Sequence, residues 1–399
     1  MTSFMLAVNR RSFDNARLLV EAGADADAVD ELDVTALMLA AANNETDVIR
    51  ELVTHLGAEV NRENSIGLTA LGVAAACCNV VSLKELLELG ADVKKICSQS
   101  SPVGESVLHV CSRCRGQDTM ESAKCVEVLI SYGAGDIINK LDSLGRSPLA
   151  RAAMNENFEC ASALIKYGAD VDAQDHQGKS VLMYAVETRD PLPIVTLLVN
   201  SGAQSHKRMV STDTSDLTRY STALTLAVKK GHTALVKYLL SCGCRASHGV
   251  HTAVFQGRTE LIDLLITSGS ACPEKVRINP PALLGGRQLH VSDMCPQLSP
   301  LATALLCGQT GTARLLVDNF FLTSDDLLTV VSDVTSLCPS GLPAGVGEFM
   351  SQLTNQPRSL LFLAFLCVSC RLGFEPDRKE KVESLAVPTL LKRKLLFQS

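Results

Sequence analysis

Apolar residues along this chain come in short stripes at helical spacing, and the stripes come in pairs. One pair reads in full between residues 144 and 172. Leu144, Gly145 and Arg146 make a turn. Ser147 predicts a helix N-cap, because its hydroxyl can accept an amide of the first turn. Pro148 suits the first helical position, where no backbone donor is needed. Leu149, Ala152 and Ala153 form the apolar stripe of a short helix. Asn155, Glu156 and Asn157 break it, and Cys160, Ala163, Leu164 and Ile165 mark a second helix. Gly168 ends that helix, since glycine enters the left-handed C-terminal conformation cheaply. Ala169 to Asp172 then lead into the next turn.

The same pattern opens at Thr35, Thr69, Ser106, Ser180, Thr222 and Ser299, each followed by an apolar run. It closes on Gly-Ala at Gly23, Gly57, Gly90, Gly133, Gly168 and Gly202, with degraded copies at Gly243-Cys244 and Gly269-Ser270. The step between copies is usually 33 to 35 residues, stretched in two places and shortened once. A period of that length predicts a solenoid of stacked units, in which each unit buries its apolar face on its neighbours. Such an array offers an extended surface and argues against most enzyme folds. Two stretches interrupt it: a Ser-, Thr- and Asp-rich insertion near 204–220, read as an exposed finger, and a Pro- and Gly-richer one near 271–297. A last unit runs from Ser299 to Asp318, after which the period is lost.

Composition fits this picture. The 46% apolar content, the absence of Trp and the 4% aromatic content suit thin interfaces filled by Ala, Leu and Val. The net charge of −6 speaks against a nucleic-acid partner. The 15 cysteines are scattered through apolar text, where a free thiol behaves as a small hydrophobe. Met1 to Val8 is too short an apolar run for a signal peptide, and Arg10 and Arg11 follow it instead of preceding it. The expectation is a reduced cytoplasmic protein, with the nucleus also open to it and no disulfides. The longest apolar run, Leu360 to Val368, is far below the ~18 residues that span a bilayer.

Cap, stripe and glycine recurring in phase over residues 1–320 make the chain resemble the ankyrin repeat, whose first helix opens Thr-Pro-Leu-His. Only the run Ser106-Val107-Leu108-His109 keeps the His, and only Ser147-Pro148 and Ser299-Pro300 keep the Pro. The expected fold is therefore all-α: an ankyrin-repeat solenoid over 1–320, a helical linker over 321–356, and a small helical domain over 357–399.

That last stretch carries its own signal. Leu360, Ala364, Val368 and Leu372 fall on one helical face, with Ser359 as cap and Gly373 at the end. A polar loop leads to Leu385-Ala386-Val387-Pro388, and Leu391, Lys392, Leu395, Leu396 and Phe397 close the sequence. This is similar to a SOCS box, with Ala364 where the family has Cys and Ala386 where it has the first Pro. Repeats followed by such a box resemble the ankyrin repeat and SOCS box family. The resemblance implies a non-catalytic substrate receptor of a cullin-RING ubiquitin ligase. Leu360, Ala364, Val368 and Leu372 would then dock on elongin C, the partner of elongin B. Leu385, Val387, Pro388 and Leu391 would face cullin-5 with its RING partner. An ankyrin-repeat scaffold or inhibitor protein without ligase recruitment is the alternative.

Other candidate chemistry is weak. Cys111-x-x-Cys114 and Cys367-x-x-Cys370 lack a second ligand pair with zinc-like spacing, so no metal or cofactor is expected. Gly341 to Gly347 has no Lys and no preceding strand, and reads as a loop. His109 reads as a hydrogen-bonding core residue, and Glu45, Asp47 and Glu51 near Arg50 as a solvated face. At the turn tips, Asp30, Asp33, Glu63, Asp142 and Asp175 read either as ordinary solvated ends or as an acidic groove that steers a basic segment of an unknown target protein.

Overall fold

The structure is a computed structural model describing residues 2–97, 104–114, 119–210, 220–268, 276–277, 297–319, 321–322, 326 and 345–349. It divides into two compact units, Met1–Gln204 and Ser205–Ser399.

In the first unit each apolar stripe becomes a helix, and the helices pair. The pairs are α1 (Ser3–Asn9) with α2 (Phe13–Glu21), α3 (Ala36–Ala42) with α4 (Thr46–Thr54), and α5 (Ala70–Ala76) with α6 (Val80–Glu88). Three more follow: α7 (Val107–Cys111) with α8 (Thr119–Ser131), α9 (Pro148–Met154) with α10 (Phe158–Lys166), and α11 (Val181–Val186) with α12 (Leu192–Asn200). First helices pack on first helices from α1 to α11, and second helices on second helices from α4 to α12. The result is two layers of helices with a thin apolar sheet between them.

The caps that the sequence predicts are formed. Thr35, Thr69, Ser147 and Ser180 accept the backbone amides of Met38, Gly72, Ala150 and Met183 at 3.2–3.3 Å. Alanines such as Ala40, Ala41, Ala74, Ala75, Ala152 and Ala153 let the first helices approach closely, while Ile49, Leu52, Leu83, Leu86 and Leu129 fill the second layer. Full burial of one such leucine stabilises by about 1.5–3 kcal/mol.

In the second unit the pairs are α13 (Ala223–Lys230) with α14 (Thr233–Ser241), α15 (Ser247–Phe255) with α16 (Thr259–Thr267), and α17 (Pro300–Leu306) with α18 (Thr310–Asp318). Helix α15 has no Ser or Thr cap, and only five residues separate it from α14. The shortened step in the sequence is thus a unit without a finger.

Short antiparallel strand pairs stand between helix pairs. They join β1 (Ile96–Cys97) to β2 (Glu105–Ser106), β3 (Met209–Val210) to β4 (Tyr220–Ser221), and β5 (Val276–Arg277) to β6 (Gln297–Leu298). The insertions near 204–220 and 271–297 therefore each contain one strand of a pair and end at the other. Single bridges, Val29 to Thr35 and Gln174 to Ser180, do the same in the short fingers.

Candidate functional site

The fingers of the first unit are the natural place to look for a binding surface, because four of them are built to one hydrogen-bonding plan. Asp30 Oδ1 accepts the amides of Leu32 and Val34 at 2.9 and 3.0 Å. Asn64 Oδ1 accepts those of Ile66 and Leu68 at 3.1 and 2.9 Å. Asp142 Oδ1 takes Leu144 and Arg146, both at 2.9 Å, and Asp175 Oδ1 takes Gln177 and Lys179, both at 2.8 Å. The side chain folds back on its own turn, the habit of Asp and Asn in such loops.

A second set of side chains ties four of the fingers to the ones that follow. Asp27 accepts the amide of Glu59 at 3.0 Å, Asn61 that of Asp92 at 2.8 Å, Asn139 that of Asp170 at 2.8 Å and Asp172 that of Gln204 at 2.8 Å. The tips also touch directly. Ser65 Oγ donates to the Leu32 carbonyl at 2.9 Å, and the His176 amide to the Leu144 carbonyl at 3.4 Å. Gly145, at φ +78°, sits so close that a Cβ there would stand 2.7 Å from the His176 nitrogen.

The five acidic residues singled out in the sequence are therefore not alike. Asp30, Asp142 and Asp175 turn their carboxylates inward as turn locks. Asp142 is buried. Burial works against its charge, but the Arg146 amide and guanidinium and the Leu144 amide outweigh it and hold the carboxyl below its usual range. The Val34 and Leu32 amides hold Asp30 down in the same way. Asp175 Oδ2 accepts the Tyr184 hydroxyl at 2.5 Å. Burial, followed by that carboxylate, pushes the Tyr184 phenol up. Glu63 faces Lys95 Nζ at 3.3 Å. Asp33 is exposed, at φ +56°. Three of the five carboxylates are bonded within their own loops, and Glu63 faces a lysine.

Glu45 and Glu51 are not a plain solvated face either. They pair with Arg11 and Arg17 of the preceding helix pair at 3.2 and 2.5 Å, and Arg50 pairs with Glu85 of the following one at 2.8 Å. His109 is a core residue, as read. Its Nδ1 accepts from the Ser106 amide at 3.1 Å, and its Nε2 donates to the Arg146 carbonyl of the next finger at 3.0 Å. This pattern requires the neutral Nε2–H tautomer, and burial pushes the imidazole pKa below its usual value. His251, which the sequence reading missed, does the same in the second unit. Its Nε2 lies 3.0 Å from the carbonyl of Leu298, the residue before the cap Ser299, just as Arg146 precedes Ser147.

The Cys111-x-x-Cys114 pair does not converge. Cys111 lies with Cys125 and Cys160 in the core, and burial pushes the Cys160 thiol up to about 12. Cys114 meets Cys78 instead, sulfur against sulfur, with Cα atoms 7.3 Å apart. The cysteine pattern predicted no disulfide, and the Cα separation of this pair is wider than the roughly 4.4–6.8 Å of ordinary ones. Among the described residues no three His, Cys, Asp or Glu side chains form a metal-binding group, and no helix is long and apolar enough to cross a membrane.

Among the side chains these fingers leave exposed are three aliphatic ones at the tips, Leu32, Ile66 and Leu144. Sequence reasoning passed over them, although each stands two residues after a turn-locking Asp or Asn. Leu360, Ala364, Val368, Leu372, Leu385, Val387, Pro388 and Leu391, the elongin and cullin candidates, lie outside the described residues.

The family of ankyrin repeats in three copies matches residues 4–97 and 108–209, and the single ankyrin repeat matches 219–248. Together they cover more than half of the chain. The chain is 30% identical over 218 residues to the B-cell lymphoma 3 protein homolog of Mus musculus, covering 53% of this chain and 38% of that protein. It is 28% identical over 193 residues to the E3 ubiquitin-protein ligase KEG of Arabidopsis thaliana, covering 48% of this chain and 12% of that protein. Less than half the length of each of these relatives is matched. Among solved structures, the ankyrin repeat domain of human ASB11 aligns with 57% of this chain and 92% of its own, at 20% identity and a TM-score of 0.44.

Proposed function

The chain belongs to the ankyrin-repeat family, and from that premise we propose that it is the target-binding subunit of an elongin–cullin ubiquitin ligase. The repeats bind protein; the coarser reading, a protein-interaction scaffold, rests on the family match and on the fingers described above. The ligase reading rests on one observation: two separate sequence elements stand in order after the repeats. One is the ladder Leu360, Ala364, Val368 and Leu372; the other is Leu385 to Pro388 with Leu391 to Phe397. Apolar anchors at such intervals are what helix-in-groove docking uses. In this reading the chain performs no chemistry. It holds a target near a charged ubiquitin-conjugating enzyme and so raises the effective concentration of the reactants. Elongins B and C meet the first element, and cullin-5 with its RING partner meets the second.

The test is Leu360→Ser in the full chain. A hydroxyl in an apolar groove loses roughly 2–4 kcal/mol of packing, so elongins B and C cease to co-purify while the helical content of the repeats is unchanged. Equal recovery of the elongins from the variant and the parent leaves an ankyrin scaffold without ligase recruitment.

A further inference from the structure

One boundary of the first unit, between the pair α5–α6 and the pair α7–α8, is tied differently from its neighbours. At the boundary before it, Asn79 donates to the Ala41 and Ala42 carbonyls, six and seven residues after the cap Thr35, at 2.9 and 2.8 Å. At the boundary after it, Asn155 donates to the Ser112 carbonyl, six residues after the cap Ser106, at 3.3 Å. Cys114 stands eight residues after Ser106, the place Asn155 holds after Ser147. Its thiol points at the equivalent carbonyls, Ala75 and Ala76, at 3.9 and 3.7 Å. A thiol is a far weaker donor than an amide. The finger ties skip this boundary too: they run from Asp27 to Glu59, Asn61 to Asp92, Asn139 to Asp170 and Asp172 to Gln204. Here Lys94 pairs with Asp136 instead, an exposed ion pair of the kind that contributes little.

At this boundary the Cys114 sulfur meets that of Cys78, with Cα atoms 7.3 Å apart. Cys78 lies in the turn between α5 and α6 at φ +56°, the place Asn44 holds one unit earlier at φ +59°. Asn suits that left-handed backbone better than Cys does, so the backbone alone does not account for a thiol there. We propose that Cys78 and Cys114 are a modification site, at which a hydroperoxide joins the two thiols in a reversible disulfide that fastens the third helix pair to the fourth. The residues are only 6% and 9% exposed, so the oxidant is a molecule as small as hydrogen peroxide and not a protein. One sulfur, as thiolate, attacks a peroxide oxygen; the O–O bond breaks, a sulfenic acid forms and water leaves. The second sulfur attacks the sulfenic sulfur, the S–S bond forms, and the hydroxyl leaves with the second thiol's proton as water. Two thiols and one peroxide thus give one disulfide and two waters; the sulfurs lose two electrons and the peroxide gains them. A dithiol reductant reverses the step by thiol–disulfide exchange. The bond spans 36 residues of chain and so restricts the unfolded state. Because settled disulfides hold their Cα atoms at roughly 4.4–6.8 Å, closing it also draws the end of α7 toward the α5–α6 turn. A weakly tied boundary becomes a covalent one.

The experiment uses the full chain, reduced, freed of reductant and exposed to hydrogen peroxide. After free thiols are blocked with N-ethylmaleimide, peptide mass mapping finds Cys78 linked to Cys114, two hydrogens lighter than the reduced pair, and dithiothreitol restores both thiols. Hydrogen exchange in α5 and α7 slows at least about tenfold on oxidation, the scale of a modest disulfide. Cys78→Asn, which suits the turn as Asn44 does, abolishes both responses. Where that variant fails to fold, Cys114→Asn replaces it, since its amide can donate to the Ala75 and Ala76 carbonyls. Cys77→Ser, at the exposed neighbour of Cys78, leaves both responses in place. Three results overturn the inference: peroxide leaves Cys78 and Cys114 free or carries them to sulfinic acid without a link; the link forms between other cysteines, such as the buried Cys111 and Cys125; or Cys78 and Cys114 join and exchange in α5 and α7 is the same with and without the bond. None of these readouts involves the elongins, so the ligase reading is judged separately, by Leu360→Ser alone.

Discussion

At the scale of single residues, Asp30, Asn64, Asp142 and Asp175 occupy one position with one job, and the chain supplies its own control for what charge adds. Asn64 locks its finger without a charge, so Asp30→Asn changes stability by less than about 0.5 kcal/mol. Asp142→Asn keeps the turn but removes the partner of Arg146, a buried guanidinium whose Nε donates to Asp142 Oδ2 at 2.9 Å. Leaving that cation unpaired costs about 3 kcal/mol, and urea denaturation of the two variants side by side reads the difference. His109 makes a further prediction. Its folded pKa is depressed, so between that value and the ~6.5 of the unfolded chain, unfolding takes up a proton that the core refuses. The stability this confers is complete above about pH 6.5 and declines as the pH falls below it. His109→Gln can keep both hydrogen bonds, and the difference between its denaturation midpoint and the parent's should shrink or invert from pH 7.5 to 5.5. The carboxylates Asp30 and Asp142, held below 3.8, titrate outside that window.

At the scale of elements, the second helix of a pair begins with a side chain that reaches back to the preceding pair. Asn79 donates to the Ala41 and Ala42 carbonyls at 2.9 and 2.8 Å, where α3 ends. Asn157 donates to the Cys114 carbonyl at 3.1 Å and to Ser122 Oγ at 2.9 Å, and accepts the Cys160 amide as the cap of α10. In the second unit Gln309 reaches the Phe255 carbonyl at 3.2 Å. Asn157→Ala leaves buried groups of two helix pairs without partners and costs about 2–3 kcal/mol. Hydrogen exchange should quicken at α7 and α8 as well as at α10. The helices themselves were legible in the sequence, because each cap stands beside the first stripe and each closing glycine just after the second, all within one repeat. The ties between them were not. Arg17 to Glu51, Asp27 to Glu59 and Asn79 to Ala41 each join residues 32 to 38 apart, and nothing local marks the partner. The inward turn of Asp142 was hidden for the same reason: an Asp at a tip looks the same whether it faces water or its own loop. His251 was hidden because α15 lacks the cap that sets the register in other units.

At the scale of the whole molecule, the roles proposed for the repeats and for the sequence after Gln356 have separate tests. Pro388 presets the backbone at its position. Changing Val387 and Pro388 together should therefore remove cullin-5 from the purified complex while elongins B and C stay. Recovery of cullin-2 with the parent chain would overturn that assignment. The proposed two-part motif is a local pattern of apolar residues; its partners rest on resemblance, and co-purification decides them.

The ladder from Asp27 through Asn61 and Asn139 to Asp172 bears on how such a chain can change length over evolution. Each rung crosses one boundary and ends on the same amide, the one after Gly-Ala or its equivalent. A duplication or deletion that starts and stops in phase gives every rung a new partner of the same kind and orphans no donor. An insertion out of phase has no such refuge except at a finger. Accordingly, the 41-residue step from Gly202 to Gly243 carries its surplus in the finger begun by β3 and closed by β4, before the cap Thr222. Copy number can drift in whole units, and new sequence can be tried at the tips without renegotiating the stack behind them.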